Sequence, residues 1–397
     1  MITSLSLEGY KSYKSLKDFS LRPLNVFIGP NRSGKSNFLD FWDFLCAAGK
    51  QELAPAINNR GGIGSVISWN QNQLKFDLHF ATKPPFSQEN GIRYEIDVSK
   101  QKLAYSINSE YLIKNPAKPA AGSSLLLNIG SGRGLVYRQY ADIVESRNSQ
   151  FTSTELAITQ IRDAAAYSTV DKLRLYLANI TVHRPFNTEE NAPIRDAQVI
   201  GVREAEVPPT RLSRYGDNLT NVLYFLHNEP KYQDYYEEYL VTLQRAFPTF
   251  EKFIFPADAG QGKTILAWKD RTFPSRALTA NLLTDGTLRF MCLLAALYDP
   301  EPPPLLCIDE PEVGLHPQLL RLLASVLQEA SERMQIIIST HSSDLISFLE
   351  NADDVVVVES EEGWSTLKRL SQQELQHWLQ EYSLGELWKS GEIGGRM

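Results

Sequence analysis

Eight residues near the amino terminus have the types and the spacing of a phosphate-binding loop. They fit the pattern G-x-x-x-x-G-K-[ST] and read Gly29, Pro30, Asn31, Arg32, Ser33, Gly34, Lys35 and Ser36. The apolar run Leu24–Ile28 precedes them, and Phe38–Trp42, which has helical periodicity, follows. A strand, a glycine-rich loop and a helix in this order form the context in which such a loop binds a nucleoside triphosphate.

The chemistry of such a loop requires these residue types. Gly29 and Gly34 let the backbone turn its N–H groups toward phosphate oxygens, and the following helix adds a favourable dipole. Lys35 supplies a positive charge for the β- and γ-phosphates, and the Ser36 hydroxyl is a ligand for Mg²⁺. The chain lacks an Asn-Lys-x-Asp motif for guanine. We therefore predict ATP and Mg²⁺ as the cofactors.

Two carboxylates follow an apolar run in the last third of the chain. Leu305–Ile308 reads as a buried strand, and Asp309 and Glu310 come directly after it. Ligands of open α/β sheets bind at the carboxyl ends of the strands. Asp309 is positioned to hold Mg²⁺, and Glu310 to polarise an attacking water as a general base. The plainer alternative is a strand end with two solvated acids.

A third candidate is His341, which follows the β-branched run Ile336–Ile338 in a polar turn. There the imidazole is expected to contact a γ-phosphate or the attacking water and so to report which nucleotide is bound. The alternative is an ordinary structural histidine.

A fourth candidate is the start of a predicted helix, Thr287–Leu297. The residues that open it are Thr284, Asp285, Gly286 and Thr287. A small hydroxyl residue and a glycine at a helix start form an anion site. Because Lys35 already holds phosphates within the chain, this second site makes sense if it faces the nucleotide of another copy.

Composition restricts the class of protein. The chain has 397 residues, 43% of them hydrophobic, and a formal net charge of −7, so no global basic field attracts nucleic acid. Its three cysteines lie far apart in apolar runs without metal-ligand spacing, which indicates free thiols in a reducing cytosol. No leader or long apolar segment is visible, so we expect a cytoplasmic protein with no membrane contact.

The hydrophobic pattern predicts an α/β fold. Strands are predicted at 2–8, 15–28, 73–80, 92–98, 102–107, 177–182, 305–308, 335–339 and 355–358. Helices are predicted at 35–48, 152–167, 287–297, 317–330 and 344–350, with two more between 217 and 246. Residues 114–134 and 185–209 read as loops, and 259–262 as the turn of a hairpin. The early strands alternate, which is typical of an antiparallel sheet, and the late ones alternate with helices, which favours a parallel sheet.

The motifs "GPNRSGKSN", "LTDGT", "CIDEPEVGLHP" and "STHS", in this order, resemble those of ABC-type ATPases of the SMC-like and OLD-like group. The likeness is closest to short AAA_21-type bacterial ATPases and covers essentially the whole chain. It implies that Gly29–Ser36 with Asn37 is the Walker A motif, that Asp309 and Glu310 are the Walker B aspartate and catalytic glutamate, and that His341 is the switch histidine. It implies that Thr284–Thr287 is the signature motif of an ATP-sandwich dimer.

The resemblance also implies that Lys11 and Ser12 approach the nucleotide, and that 314–317 is the D-loop. The fold that it implies is an ABC-ATPase head with a mixed or antiparallel amino-terminal sheet and a mostly parallel core sheet flanked by helices. The domain organisation that it implies is lobe I at 1–184, a helical and hairpin insertion at 185–275 and lobe II at 276–397. No Q-loop glutamine is found, although His183 and Arg184 fall near its position. His316 replaces the D-loop aspartate of transporters.

Three functions compete at this stage. The first is an ATPase switch that dimerises head to tail on ATP and acts on DNA, in repair or antiviral defence, through a nuclease or effector encoded as a separate chain. The second is an ATPase that regulates a partner protein without touching DNA. The third is a small-molecule kinase or a nucleotide switch without hydrolysis, which the signature and the switch histidine disfavour. A transporter subunit is the weakest choice because of His316.

Overall fold

The computed structural model describes residues 1–81, 86, 91–114, 125–140, 143–200, 208–258 and 262–394. Numbered in chain order, its strands are β1 (Ile2–Tyr10), β2 (Tyr13–Ser20), β3 (Leu24–Ile28), β4 (Gln73–Phe80), β5 (Ile92–Gln101), β6 (Ala104–Lys114), β7 (Leu125–Gly130), β8 (Arg133–Tyr140), β9 (Ile143–Gln150), β10 (Thr181–His183), β11 (Gln198–Val199), β12 (Phe250–Ile254), β13 (Ala257–Asp258), β14 (Lys263–Thr264), β15 (Ala267–Asp270), β16 (Ala277–Thr279), β17 (Leu305–Asp309), β18 (Gln335–Ser339), β19 (Val355–Glu361) and β20 (Trp364–Arg369).

The helices are α1 (Lys35–Gly49), α2 (Leu53–Asn59), α3 (Ile63–Val66), α4 (Ala157–Gln160), α5 (Ser168–Ala178), α6 (Leu219–Asn228), α7 (Gln233–Ala246), α8 (Asp285–Leu297), α9 (Pro317–Ala330), α10 (Ser343–Ser347), α11 (Gln372–Leu375) and α12 (Leu384–Ser390). None of the described helices is both long and apolar enough to cross a membrane. The chain divides into two compact units, each made of discontinuous segments. The first is Met1–Thr181 with Asp353–Glu374 and Gly391–Met397, and the second is Val182–Ala352 with Leu375–Ser390.

The first unit contains an eight-stranded antiparallel sheet in the order β2-β1-β4-β5-β6-β7-β8-β9. Its strands alternate buried and exposed residues, as in β4, because one face packs on the core. Elsewhere in this unit β3 pairs in parallel with β19, which pairs antiparallel with β20. All five residues of β3 are buried, and the Phe27 and Phe38 rings stack with centroids 4.6 Å apart. That contact fixes α1 on the strand that leads into the predicted phosphate loop.

In the second unit β17 and β18 pair in parallel, and their strand residues are buried except Asp309. Continuous apolar runs of this kind form strands that are covered on both faces. Helix α9 begins at Pro317 and buries one apolar face, whose members include Leu320, Leu323 and Leu327. The antiparallel amino-terminal sheet, the parallel pairing of the later strands and the α/β class are therefore confirmed.

Three predictions in the middle of the chain are wrong. Residues 125–134, predicted as loop, belong to β7 and β8, because Ser131 and Gly132 form a tight turn between apolar strands. The predicted helix at 152–167 is reduced to α4, and α5 follows it. The predicted strand at 177–182 is instead the end of α5 followed by the three residues of β10. Short apolar runs do not distinguish a strand from the end of a buried helix.

The strand predicted at 102–107 continues to Lys114, and the run predicted at 15–28 is divided into β2 and β3. The two helices predicted between 217 and 246 are α6 and α7, separated at Glu229 and Pro230. The predicted hairpin is present as the antiparallel pair β13 and β14, although Ala259, Gly260 and Gln261 lie outside the described residues. None of Cys46, Cys292 and Cys307 forms a disulfide in the structure, as predicted.

Candidate active site

The predicted phosphate loop begins where β3 ends and closes at the first residue of α1. Three of its residues have a positive φ: Gly29 at 147°, Arg32 at 64° and Gly34 at 113°. A Cβ on Gly34 would lie 2.0 Å from Ser365 Oγ, and one on Gly29 would lie 2.1 Å from the Val358 carbonyl oxygen. Only glycine satisfies both the dihedral and the space at these two positions.

Lys35 is the first residue of α1, and its side chain is buried within the loop. Its Nζ donates hydrogen bonds to the carbonyl oxygens of Gly29, at 2.7 Å, and Pro30, at 3.0 Å. Ser36, the next residue, is exposed, as are Asn31 and Arg32. A buried ammonium, an exposed hydroxyl and the amino terminus of a fifteen-residue helix form a donor set that fits a polyphosphate with a hard cation.

A network of hydroxyl groups supports the loop from behind. Ser12 Oγ accepts hydrogen bonds from Asn37 Nδ2 at 2.9 Å and from Ser365 Oγ at 2.7 Å. The Ser365 hydroxyl also lies 2.5 Å from the Ser33 carbonyl oxygen. Ser12 and Asn37, both predicted to bind the nucleotide, thus contact the loop's supporting network. Ser365 was missed because no pattern in β20 distinguishes it.

Lys11, the other predicted contact in the amino-terminal turn, is held by Asp40 in an ion pair of 2.5 Å. Tyr10 and Arg60 donate hydrogen bonds to the same carboxylate. Burial disfavours the charged form of Asp40, but the hydrogen bonds from Arg60, Lys11 and Tyr10 outweigh it and lower the pKa of Asp40 to about 2. The role of Lys11 toward a nucleotide stays a prediction.

The predicted metal ligand Asp309 ends β17 in the second unit, and both its oxygens have partners. Arg184, directly after β10, donates from Nη1 to Oδ2 over 2.9 Å, and Ser339 donates its hydroxyl to Oδ1. The Asp309 side chain is 12% exposed and that of Arg184 is 21% exposed. A carboxylate at this strand end is a hard oxygen ligand, which is the type that Mg²⁺ prefers. Sequence reasoning placed Arg184 near a Q-loop but did not find this contact.

Glu310 and His341 come together in the same unit. Their closest atoms, Glu310 Oε1 and His341 Nε2, are 3.6 Å apart. Glu310 has a φ of 50°, which is uncommon for a residue other than glycine, and its N–H bonds to the Ser339 carbonyl oxygen at 3.0 Å. Such backbone conformations cluster at functional sites, where the surrounding structure maintains them. Asp309 and Glu310, predicted from one motif, and His341, predicted from another, therefore form one cluster.

Glu312 belongs to this cluster and was not predicted. Its Oε1 accepts a hydrogen bond of 2.8 Å from the backbone N–H of His341. Burial raises the pKa of Glu312, although the hydrogen bonds from His341 and Thr340 oppose the shift. The signal was present in the sequence, since a third acid follows Glu310 by two residues, but nothing local indicated which way it pointed.

The predicted signature residues begin α8. Thr284 is the N-cap, and its Oγ1 accepts the N–H of Thr287 at 3.3 Å. Gly286 approaches the loop that follows Glu310: a Cβ on Gly286 would lie 2.6 Å from the Gly314 carbonyl oxygen. Asp285, in the first turn, contacts Arg195. Thr284 and Asp285 are exposed.

The chain is similar to known proteins in one segment by sequence and over nearly its whole length by fold. Residues 264–347 match the family AAA_21, described as AAA domain, putative AbiEii toxin, Type IV TA system. An Smc head bound to the C-winged helix domain of ScpA superposes with a TM-score of 0.56 at 14% identity, covering 95% of this chain and 99% of that one.

A second Smc head, with an extended coiled coil and bound to the C-terminal domain of ScpA derived from Pyrococcus furiosus, gives a TM-score of 0.54 at 13% identity. That match covers 96% of this chain and 98% of that one. At such identities the likeness establishes the fold. No protein of curated function matches the chain.

The structural matches show that the chain has the fold of an SMC head, and residues 264–347 match the AAA_21 family. The segment that matches AAA_21 is the one that carries the predicted signature, Asp309, Glu310 and His341. The predicted SMC-like resemblance is confirmed, and its finer OLD-like part stays a prediction.

Proposed function

We propose that this protein is a Mg²⁺-dependent switch that binds and hydrolyses ATP and closes head to tail with a second copy while ATP is bound. The observation that carries the proposal is the pair Glu310 and His341, 3.6 Å apart beside Asp309. A general base, an imidazole and a metal-binding carboxylate are the groups that hydrolysis of a phosphoanhydride requires.

In this proposal the phosphate loop holds the substrate. Lys35 leaves the carbonyl oxygens of Gly29 and Pro30 and takes phosphate oxygens in their place, because a charged acceptor gives a stronger hydrogen bond than a neutral one. The network of Ser12, Asn37 and Ser365 keeps the loop in shape during this exchange.

Ser36 and Asp309 would hold Mg²⁺, which would neutralise charge on the phosphates. Glu310 accepts a proton from the attacking water, and His341 orients that water or the leaving phosphate. Glu312 fixes the backbone at His341, so the imidazole stays at a constant distance from Glu310. The residues Thr284–Thr287 would cap the nucleotide of the second copy, which makes the active site composite.

The test is the variant Glu310→Gln, which keeps the size of the side chain and removes the base. We expect hydrolysis to fall by about 10²- to 10⁴-fold while ATP still binds, and the closed dimer to accumulate. Sedimentation velocity with and without ATP would detect the dimer. Glu329→Gln, on the exposed side of α9, is the matched control. A Glu310→Gln protein that hydrolyses ATP normally, or stays monomeric with ATP, would contradict the proposal.

We further propose that the switch acts on DNA, in repair or antiviral defence, through a partner such as a separately encoded nuclease. Two facts support a partner: the SMC-like fold, and the binding of ScpA domains by the two Smc heads of that fold. The alternative is regulation of a partner protein with no DNA contact. ATPase rates with and without duplex DNA distinguish them, since direct contact also gives binding that weakens steeply with salt.

The proposal includes the assignment of residues 1–184 and 276–397 to two lobes of one ATPase domain, with 185–275 as an insertion. It also places the protein in the cytoplasm, where the three cysteines, none of which is in a disulfide, remain reduced.

A further inference from the structure

Arg195 has an unusually complete set of hydrogen-bond partners, all in the second unit. Its side chain is 9% exposed and belongs to the short 3-10 turn Pro193–Arg195. Nε donates to the carbonyl oxygens of Thr188 at 3.0 Å and Glu189 at 3.2 Å. No motif in the sequence indicated a role for this residue.

The other two guanidinium nitrogens point to the segment that leads into α8. Nη1 donates to the carbonyl oxygens of Leu283 at 2.8 Å and Ala280 at 3.2 Å, and it lies 3.4 Å from that of Asn281. Nη2 contacts Asp285 Oδ1 at 2.5 Å. One buried side chain therefore fixes the backbone of residues 280–283 and one carboxylate in the first turn of the helix.

The type of residue matters because a guanidinium presents five N–H donors in a rigid planar fork. A lysine at this position has one nitrogen, which cannot reach carbonyl oxygens on two separate segments and a carboxylate at once. A neutral side chain would leave several carbonyl oxygens without their donor. The contacts thus depend on the shape of arginine as well as on its charge.

The charge has a separate consequence at the start of α8. The Asp285 side chain is 59% exposed, and it lies beside Thr284 and Gly286, which are predicted to meet a triphosphate. An unpaired carboxylate there would repel that anion. Pairing with Arg195 neutralises Asp285 while the helix N-terminus keeps its favourable dipole.

We propose that Arg195 is the positioning residue of the signature segment, and that it makes this segment competent to receive the ATP held by a second copy. It does so by fixing residues 280–283 and by neutralising Asp285. This inference rests on the proposed closed dimer. It makes formation of that dimer depend on a residue outside every recognised motif.

The test compares variants in the Glu310→Gln background, in which the ATP-bound dimer is expected to accumulate. Titration calorimetry measures ATP affinity, and sedimentation velocity measures the dimer at fixed ATP and salt. We expect Glu310→Gln/Arg195→Met to bind ATP within about twofold of its parent, because the phosphate loop is unchanged, but to dimerise at least about tenfold more weakly. Arg271→Met, at an exposed arginine of the same unit, is the matched control and should dimerise normally.

Two further variants separate positioning from simple loss of stability. Arg195→Lys keeps a positive charge near Asp285 but not the fork, and we expect a dimer of intermediate strength. Adding Asp285→Asn to Arg195→Met removes the exposed charge. We expect this variant to dimerise at least about threefold more tightly than the one with Arg195→Met alone, which a general defect in folding would not allow.

The outcomes distinguish the inference from the function on which it rests. If Glu310→Gln forms the ATP-dependent dimer and Arg195→Met leaves it intact, the role of Arg195 is overturned and the proposed function stands. If Asp285→Asn restores nothing, the electrostatic part is overturned. If the Glu310→Gln parent never dimerises on ATP, the proposed function fails and the role of Arg195 fails with it.

Discussion

Arg184 Nη1 lies 2.9 Å from Asp309 Oδ2, so the carboxylate predicted to hold Mg²⁺ already has a positive partner within the chain. The two residues are separated by 125 positions in the sequence. A cation that binds Asp309 must therefore displace this guanidinium or share the carboxylate with it. Metal binding is thus a competition between two positive groups for one carboxylate.

The variant Arg184→Gln should remove this competition. We expect the Mg²⁺ concentration that gives half-maximal ATP binding to fall by about two- to fivefold, because a partly buried carboxylate without a counter-ion attracts a divalent cation more strongly. A fluorescent ATP analogue titrated with Mg²⁺ measures the change. Arg174→Gln breaks a pair of similar exposure with Asp171 elsewhere and should change nothing. A higher Mg²⁺ requirement in Arg184→Gln would show that Arg184 assists the metal instead.

The variant Lys35→Ala should abolish ATP binding. The Lys35 ammonium is buried among loop carbonyl oxygens, and we expect its loss to weaken ATP binding by about a hundredfold or more, since charge-assisted bonds to phosphate are the strongest contacts in such a loop. Titration calorimetry with ATP provides the measurement. Lys50→Ala, at the exposed end of the same helix, is the control and should bind normally. Retained affinity in Lys35→Ala would place the triphosphate elsewhere.

Glu312 should matter for hydrolysis more than for nucleotide affinity. Glu312→Ala deprives the His341 N–H of its acceptor, so we expect kcat to fall by about tenfold with ATP affinity within about twofold, and the melting temperature to drop by a few degrees. Glu312→Gln keeps an acceptor oxygen and should recover most of the activity. Equal damage in both variants would show that the charge, rather than the hydrogen bond, is what His341 needs. Glu332→Ala, an exposed acid, is the control.

A buried carboxyl in the first unit should make stability depend on pH. Glu110 is 1% exposed, and burial raises its pKa to about 7, although hydrogen bonds from Ala157, Ile158 and Tyr94 oppose the shift. The unfolded chain loses this proton near pH 4.5, so between about pH 4.5 and 7 the folded state binds more protons and stability falls as pH rises. The full effect is about 3 kcal/mol.

Urea unfolding of the wild type and Glu110→Gln at several pH values tests this dependence. We expect the free energy of unfolding of the wild type to decline from pH 5 to 8 relative to that of the variant, which has no proton to lose. Parallel curves for the two proteins would refute the assignment. Glu52→Gln, at an exposed acid, should follow the wild type.

The sequence predicts best where local pattern and chemistry agree. The bounds of β4, α9 and β18 match the predictions to the residue, because each has a clear period or a run of β-branched residues. The loop predicted from the local pattern at 125–134 is wrong, because a glycine there lets two strands approach closely. A Cβ on Gly134 would lie 2.0 Å from the Asn128 carbonyl oxygen. Glycine occurs both in loops and in tightly packed strands, and which of the two forms depends on whether another strand pairs with the segment.

The residues that sequence reasoning missed act across the chain. Ser365 is 353 positions from Ser12, and Arg195 is 90 positions from Asp285. Arginine and serine are common surface residues, and nothing near them in the sequence marks them as partners of a motif. Motifs identify the groups that do chemistry, whereas the groups that hold them in place become visible only when the fold brings distant segments together.

The close approach of Gly286 to Gly314 has a mechanical consequence. The two backbones are so near that a Cβ on Gly286 would stand 2.6 Å from the Gly314 carbonyl oxygen, and one on Gly314 would stand 2.3 Å from Arg289 Nη1. Because the two backbones leave no room between them, the start of α8 cannot move toward the loop that carries Glu310 and Glu312 without displacing it. The contact of Gly286 with Gly314 therefore joins the surface proposed to meet a second subunit directly to the loop of the groups proposed to hydrolyse ATP.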